Sequence, residues 1–283
     1  MRYLILGTLL LSVCTLSGCT QRREALGGGG RSRTSVKVIR AGGGVGNEGG
    51  GESGGEMITT FGDFRGRITV TGTAPQLAPL VRKGDASIKD DICKAEDVPN
   101  ETVLVGPGGG LANVFVFLRR APNNVEIPPV PEAAVSLDQK GCKFVPHASI
   151  VRVGQPIQLL NSDTVPHNVK GKGLSFTINK TVGPQTDASA APVEKATRRE
   201  NAPAEIGCDF HTWMRGWVLP LDHPWSGLTN ESGEFEIKGV PAGEMEFVVF
   251  HEGKQLGAFN VTISPDAPVE ETMEVDASKL AGN

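Results

Sequence analysis

The chain has 283 residues, of which 39% are apolar and 21% are charged, so it is long enough to bury one large core or two modest ones. The 37 glycines and 19 prolines are too many for a helical protein, and no stretch after the first twenty residues keeps a helical apolar period for long, which predicts an all-β fold. The net charge of −4 argues against a nucleic-acid-binding surface, and the basic side chains clustered in residues 20–40 leave the remaining chain more acidic still.

The N-terminus has the composition of a secretion signal. Arg2 precedes an apolar run from Leu4 to Val13, which is too short to span a membrane. The sequence LSGC, ending at Cys19, resembles the lipobox of bacterial lipoproteins, although an ordinary signal peptide that contains cysteines is the alternative. The resemblance implies a signal peptide over residues 1–18 and a lipid anchor on Cys19. Thr20 in place of Asp implies no inner-membrane retention, so we expect a lipid-anchored protein of the cell envelope that faces the periplasm.

Two segments of different character follow. Residues 19–57 are glycine-rich, with AGGGVGNEGGGESGGE as the longest stretch, and predict a flexible tether. Residues 58–134 form an N-terminal β segment, because FRGRITVTGTAP and LANVFVFLRRAP have strand patterning. The sequence does not say which neighbouring unit these strands join.

Three cysteines remain in the body once Cys14 leaves with the signal and Cys19 is lipidated. Outside the cytoplasm cysteines tend to pair, but three cannot all do so. Cys93 and Cys142 lie in turn-like polar stretches and are plausible partners, which leaves Cys208 over. An unprotected thiol in an oxidising compartment is prone to oxidation unless something, such as a metal ion, occupies it.

The stretch CDFHTWM places Cys208, His211 and Met214 at equal steps of three, and the upstream stretch NSDTVPHNV holds His167. Both pieces resemble the copper loops of cupredoxins, and of amicyanin and its relatives in particular. In that family a histidine follows an N-x-D turn, and a C-x-x-H-x-x-M loop comes about forty residues later. The resemblance covers residues 135–222.

The resemblance implies a cupredoxin Greek-key β-sandwich with one type 1 copper. His167, Cys208 and His211 would be its equatorial ligands, and Met214 would be the weak axial ligand. Two imidazoles, a thiolate and a distant thioether suit both oxidation states of copper, so little geometry changes when an electron passes. If the metal keeps Cys208 reduced, a disulfide between Cys93 and Cys142 is predicted.

Two neighbouring residues bear on the metal indirectly. Asn168 matches a family position whose side chain braces the ligand loop by hydrogen bonding. The dipeptide Asp209-Phe210 stands where amicyanin-like loops carry a small hydroxyl and a proline. The Asp209 carboxylate would either stabilise the oxidised metal and lower the potential, or point to solvent.

Other interpretations of the motif stay open. Zinc also accepts two histidines and a cysteine, although methionine is a poor zinc ligand. Cys208 and its neighbours could instead be buried packing residues, or a worn site that no longer binds metal. The remaining histidines, His147, His223 and His251, are expected to be structural.

Residues 223–283 predict a second small β-sandwich. In GEFEIKGVPAG, Phe235 and Ile237 alternate with polar residues between turn sequences. The stretch resembles the carboxypeptidase-regulatory-like module, which implies a scaffold role.

No catalytic motif competes with the metal site, so we expect a protein that is not an enzyme. The favoured function is electron transfer in the periplasm by a membrane-tethered blue copper protein, with a redox partner such as a c-type cytochrome. The alternative is a copper-holding or metal-free structural lipoprotein.

Overall fold

The computed structural model describes residues 56–280, so the predicted signal peptide, the lipidation site Cys19 and nearly all of the tether lie outside the described residues. The described part consists of strands joined by turns and three short 3₁₀ helices. The predicted all-β fold class is therefore confirmed. Within residues 56–280, no helix has the length and apolar character needed to cross a membrane.

Sixteen strands are found in this range. They are β1 (Phe61–Thr71), β2 (Phe115–Leu118), β3 (Val135–Gln139), β4 (Phe144–Val145), β5 (Ala148–Arg152), β6 (Pro156–Leu159), β7 (His167–Gly171), β8 (Asn179–Val182), β9 (Val193–Lys195), β10 (Ala204–Gly207), β11 (Arg215–Leu221), β12 (Ser226–Leu228), β13 (Glu234–Pro241), β14 (Gly243–His251), β15 (Lys254–Ile263) and β16 (Val269–Asp276). The 3₁₀ helices are Asp91–Lys94, Pro107–Gly109 and Ala277–Lys279.

Two sheets are built from β3 to β11. One has the strand order β5-β11-β10-β7-β8, and the other has the order β4-β3-β6-β9. Strand β10 is antiparallel to both of its neighbours, so that Gly207 lies opposite Arg215 on β11 and Lys170 on β7. His167 at the start of β7 is thereby placed beside the loop that leaves β10 at Cys208.

The other two sheets combine both ends of the described chain. Their orders are β13-β1-β16 and β12-β2-β14-β15. The N-terminal β segment, which the sequence could not place, therefore pairs its strands β1 and β2 with strands of the C-terminal region. In β13, Phe235 and Ile237 are buried while Glu234, Glu236 and Lys238 are exposed, as the alternating pattern predicts.

Two large cores follow this division. The scaffold core lies between β1, β13, β14 and β15, where the Phe64 ring packs 4.7 Å from the Phe247 ring and 5.2 Å from the Phe235 ring. The site core contains Cys208 and Met214 together with buried residues of β3, β5, β6, β7 and β10. A third, smaller cluster packs β11 against β2 and β14 and so joins the two regions.

The tip of the β14–β15 hairpin also contacts the region of the site core. Glu252 accepts a hydrogen bond from Trp217 Nε1 at 2.9 Å and pairs with His147 Nε2 at 2.7 Å. Gly253 has a φ of +72°, and a Cβ there would lie 2.5 Å from the Trp217 ring, so only glycine allows this approach. Glu252 thus contacts both His147 and Trp217 at the hairpin tip.

The structure joins Cys93 and Cys142 by a disulfide and leaves Cys208 as a free, buried cysteine. Cys93 belongs to the 3₁₀ helix Asp91–Lys94, and Cys142 lies in the turn between β3 and β4. The disulfide therefore ties the N-terminal segment to the site core, which also contains both cysteines.

Candidate metal centre

Two neighbouring strands and one loop bring three of the predicted ligands together. His167 is the first residue of β7 and is fully buried. Cys208 follows β10, and His211 lies in the loop that leads to β11. Two backbone hydrogen bonds close this loop, from Cys208 N–H to Met214 O at 3.4 Å and from Met214 N–H to His211 O at 2.9 Å. The tight turn holds Cys208 and His211 side by side.

The three donor atoms form a small triangle. Cys208 Sγ lies 3.9 Å from His167 Nδ1 and 3.8 Å from His211 Nδ1, and the two nitrogens are 2.9 Å apart. A point equidistant from the three atoms lies about 2.1 Å from each, while zinc bonds to nitrogen and sulfur span about 2.0–2.3 Å. The three residues therefore fit one first-row transition-metal ion between them.

The outer nitrogen of each imidazole is held by a carboxylate. His167 Nε2 donates to Asp163 Oδ2 at 2.9 Å, and His211 Nε2 donates to Asp90 Oδ2 at 2.9 Å. Because an ionised carboxylate only accepts hydrogen bonds, it selects the tautomer in which Nε2 carries the proton. Both Nδ1 lone pairs are then directed at the centre of the triangle.

The environment also favours a thiolate. Burial raises the pKa of the Cys208 thiol, but hydrogen bonds with His167 and His211 and from the Asn168 backbone N–H outweigh it and lower the pKa to about 6. Burial lowers the pKa of His167, but hydrogen bonds with Asp163 and Cys208 outweigh it and raise the pKa to about 9. Two facing nitrogens and a thiolate thus require a positive charge between them. A bound metal ion would supply that charge, and it would displace the protons that these groups otherwise hold.

Asp163, within the NSDTVPHNV motif, is a firmly held partner of His167, although the motif itself does not predict this role. It is 4% exposed and also accepts hydrogen bonds from the backbone N–H groups of Gly141 (2.7 Å) and Cys142 (2.8 Å). Asn161 Oδ1 accepts from Asp163 N–H at 3.0 Å. Cys142, Asp163 and His167 also form a cluster of candidate ligands, but Cys142 is engaged in the disulfide.

Asp90 is a functional candidate that sequence reasoning missed. It lies 121 positions before His211 and directly precedes the 3₁₀ helix Asp91–Lys94. No motif marks it, because its position depends on how the N-terminal segment folds over the site core. Only the spatial structure reveals the contact.

The expected brace on the ligand loop is present. Asn168 Oδ1 accepts from Asp209 N–H at 2.6 Å, and Asn168 Nδ2 donates to Asp209 Oδ2 at 3.3 Å. Lys170 Nζ donates to both oxygens of Asp209 at 3.1 Å, and these hydrogen bonds hold the pKa of that carboxyl below its usual range. Asp209 is half-exposed and its charge is paired, so much of its field at the thiolate is offset.

The rest of the loop divides between core and surface. Met214 is 1% exposed and lies in the site core with Cys208. The Trp213 ring is 5.1 Å from the His211 ring, and Trp213 Nε1 donates to Cys142 O at 3.2 Å. Phe210 is 54% exposed. The loop thus presents Phe210 outward while the side chains of Cys208, His211 and Met214 are buried.

The other buried histidines lie apart from the three donor atoms. His223 stacks on Trp225, with ring centroids 5.5 Å apart, and His251 is the last residue of β14. Burial lowers the pKa of both to about 4. Both are therefore neutral at pH 7.

No protein-family model matches the chain, and no curated protein matches it. Solved structures match about a third of it. A purple cupredoxin from Nitrosopumilus maritimus is 16% identical with a TM-score of 0.26, over 31% of this chain and 99% of that one. An amicyanin from Paracoccus versutus is 21% identical with a TM-score of 0.27, over 32% and 85%. A Cu-containing nitrite reductase from Thermus scotoductus is 16% identical with a TM-score of 0.27, over 36% and 25%.

Proposed function

We propose that this chain is a copper-binding electron carrier. The observation that supports it is the convergence of two imidazole Nδ1 atoms and one thiolate sulfur on a single buried point, with both outer nitrogens held by carboxylates. His167, Cys208 and His211 would hold the copper, and Met214 would supply a weak axial thioether from the same loop. Nitrogen and soft sulfur donors in this combination favour copper.

Bound copper would supply reversible one-electron chemistry. The contribution of the chain is to keep the donors fixed, so that little rearrangement accompanies the change of charge. The loop from Cys208 to Met214 is closed by its own hydrogen bonds, and His167 is held within a sheet. Burial of all three donors excludes water from the ligand positions.

A thiol nucleophile is a poorer interpretation of the same residues. Cys208, His167 and Asp163 do form a chain of thiolate, imidazole and carboxylate, as a cysteine hydrolase requires. However, Cys208 is only 5% exposed, whereas a nucleophile must reach its substrate. A second imidazole facing the same sulfur also has no role in that chemistry, and so we propose that the chain is not an enzyme.

The cellular setting forms part of the proposal. A lipid on Cys19 and a glycine-rich tether over residues 19–57 would keep the copper domain near a membrane of the cell envelope, on the periplasmic side. The acidic body would suit a redox partner with a basic face, such as a c-type cytochrome. Residues 135–222 would form the cupredoxin-like domain, and residues 223–283 a carboxypeptidase-regulatory-like scaffold.

One observation favours a second candidate, a copper-holding lipoprotein. The His211 side chain is only 4% exposed because Asp90 lies over its outer nitrogen. A covered ligand retains a metal ion well, whereas an electron carrier benefits from a short path to its partner. Electrochemistry separates the two candidates, because a carrier exchanges one electron reversibly and a copper store need not.

The test is a titration of the purified full chain with Cu(II). We expect an intense visible charge-transfer band from the thiolate–copper bond that saturates at one copper per chain, followed by a reversible one-electron wave in voltammetry. Trp213 lies beside His211, so copper should also quench part of the tryptophan emission. A protein that binds copper but shows no reversible wave would support the copper-holding candidate.

Substitutions show which residues produce the visible band. Cys208→Ser should abolish it, because a serine hydroxyl is not deprotonated at neutral pH and the soft donor is lost. His223→Leu is the matched control, since it removes a buried histidine outside the triangle and should leave the band intact. A colourless parent protein, or a Cys208→Ser variant as blue as the parent, would overturn the copper proposal.

A further inference from the structure

A segment of the N-terminal region covers the outer side of the metal centre. We call residues 80–98 the cap. Its ends are joined by two backbone hydrogen bonds, from Val98 N–H to Val81 O at 2.9 Å and from Leu80 N–H to Val98 O at 2.8 Å. The side chains of Val81 and Val98 are buried in the site core. Cys93, within the cap, is also buried there and is bound to Cys142 through the disulfide. The cap is therefore attached to the site core at three points.

The cap places one carboxylate against a proposed ligand. Asp90 Oδ2 accepts from His211 Nε2 at 2.9 Å, and the Asp90 carbonyl accepts from Cys93 N–H at 3.0 Å. The Asp90 side chain is 42% exposed, whereas that of His211 is 4% exposed. Asp90 thus lies between the outer edge of the imidazole and the solvent.

The two braces differ in how firmly they are held. Asp163 is buried and also accepts two backbone hydrogen bonds, so it is fixed within the site core. Among the described residues, His211 is the side-chain partner found for the Asp90 carboxylate, which is half-exposed. His211 therefore depends on the cap for its orientation in a way that His167 does not.

We infer that Asp90 is a positioning residue for His211, which keeps the Nδ1 lone pair directed at the metal and closes the centre to solvent. The inference rests on the proposed copper site. Without Asp90 the imidazole could rotate or exchange tautomers, and water could reach its outer edge. The ligand atoms themselves would remain, so copper should still bind, but less firmly.

One disulfide supports both braces. Cys142 N–H donates to Asp163 Oδ2, and Cys93 lies three residues from Asp90 and donates to its carbonyl. The disulfide thereby links the cap, which carries Asp90, with the turn whose backbone holds the Asp163 carboxylate against His167.

The test compares Asp90→Ala and Asp90→Asn in the full chain, loaded with copper and challenged with a copper chelator. Asp90→Ala should keep the visible band but bind copper about 10–100-fold more weakly, the usual cost of losing an outer partner of a metal-ligating histidine. Asp90→Asn should fall between this variant and the parent, because its amide oxygen still accepts from Nε2.

Asp91→Ala is the matched control. Asp91 is adjacent in sequence, its side chain is 96% exposed and it pairs with Lys94 instead of His211, so copper affinity should not change. Thermal unfolding of the metal-free variants should be close to that of the parent. Equal copper affinity in Asp90→Ala, Asp91→Ala and the parent would overturn the positioning role. Absence of the band in the parent would instead overturn the copper site itself.

Discussion

The scaffold core and the site core differ in what they bury. In the scaffold core, Phe64, Phe235, Phe247 and Phe259 pack with ring centroids 4.7–6.0 Å apart, among other aromatic and aliphatic side chains. The site core encloses the sulfur of Cys208 and borders buried imidazole and carboxylate groups.

The difference shows which region is specialised for stability. Apolar burial stabilises a fold without needing a specific partner, whereas buried donors and charges cost free energy unless they are paired. The region of the site core buries two carboxylate–histidine pairs and a thiolate, and their burial costs free energy. A cation between the donor atoms would offset part of that cost. The aromatic cluster around Phe64 supplies none of the proposed metal donors, so substitutions within it should affect folding and leave metal binding unchanged.

The largest effect is expected from Phe64→Ala. Phe64 is fully buried at the centre of the scaffold core, and truncating such a side chain typically costs about 3–5 kcal/mol through lost burial and the cavity left behind. Urea unfolding of the metal-free chain should reveal this loss in the free energy of unfolding.

The folded fraction of Phe64→Ala should bind copper with the affinity and visible band of the parent. If the folded variant loses copper, the two cores are coupled and the proposed division of roles is wrong.

A second expectation concerns buried histidines in the two regions. His167 has a carboxylate partner and a raised pKa, whereas neither ring nitrogen of His223 has a hydrogen-bond partner among the described residues, and its pKa is lowered to about 4. In the unfolded chain His223 takes up a proton near pH 6.5, but in the folded chain it stays neutral down to about pH 4. Stability is therefore unaffected above pH 6.5 and falls as the pH drops between these values, by about 3 kcal/mol for this residue.

His223→Leu should remove this part of the acid sensitivity. Leucine needs no hydrogen-bond partner, so the variant should be about as stable as the parent at pH 7.5 and more stable near pH 4. Denaturant unfolding at several pH values measures the difference. A parallel loss of stability in parent and variant would show that His223 is protonated in the folded state.

The sequence predicted the all-β class because glycine and proline are frequent and no helical period persists. The alternation of Phe235 and Ile237 with polar neighbours also appears in β13 as predicted. Near the site, the fixed steps within CDFHTWM and the upstream motif predicted four ligands: His167, Cys208, His211 and Met214. The structure brings the donor atoms of the first three within 3.9 Å of one another and places Met214 in the same core. Sequence motifs were enough to predict which side chains lie together where those side chains are close in sequence or lie on adjacent strands.

Long-range placement was not predictable. Strand β1 pairs in parallel with β16 at the far end of the chain, and pairing over such a distance leaves no local signature. Asp90 lies in a turn-like polar stretch that resembles any solvated loop, yet it contacts His211 across 121 positions. Its role follows from the packing of Val81, Cys93 and Val98, whose common core becomes visible only in three dimensions.

The smallest effect on stability is expected from Met214→Leu. This substitution tests whether Met214 is a copper ligand or only a packing residue of the site core. Met214 is 1% exposed, and leucine has a similar volume, so the free energy of unfolding of the metal-free chain should change by less than about 1.5 kcal/mol. If Met214 is only a packing residue, nothing else should change. If its thioether is the axial ligand, its loss withdraws a donor that stabilises Cu(II) more than Cu(I). The variant should then keep copper and the visible band while its reduction potential rises, as voltammetry beside the parent would show. An unchanged potential would leave Met214 in the core alone, and would reduce the proposed ligand set to His167, Cys208 and His211.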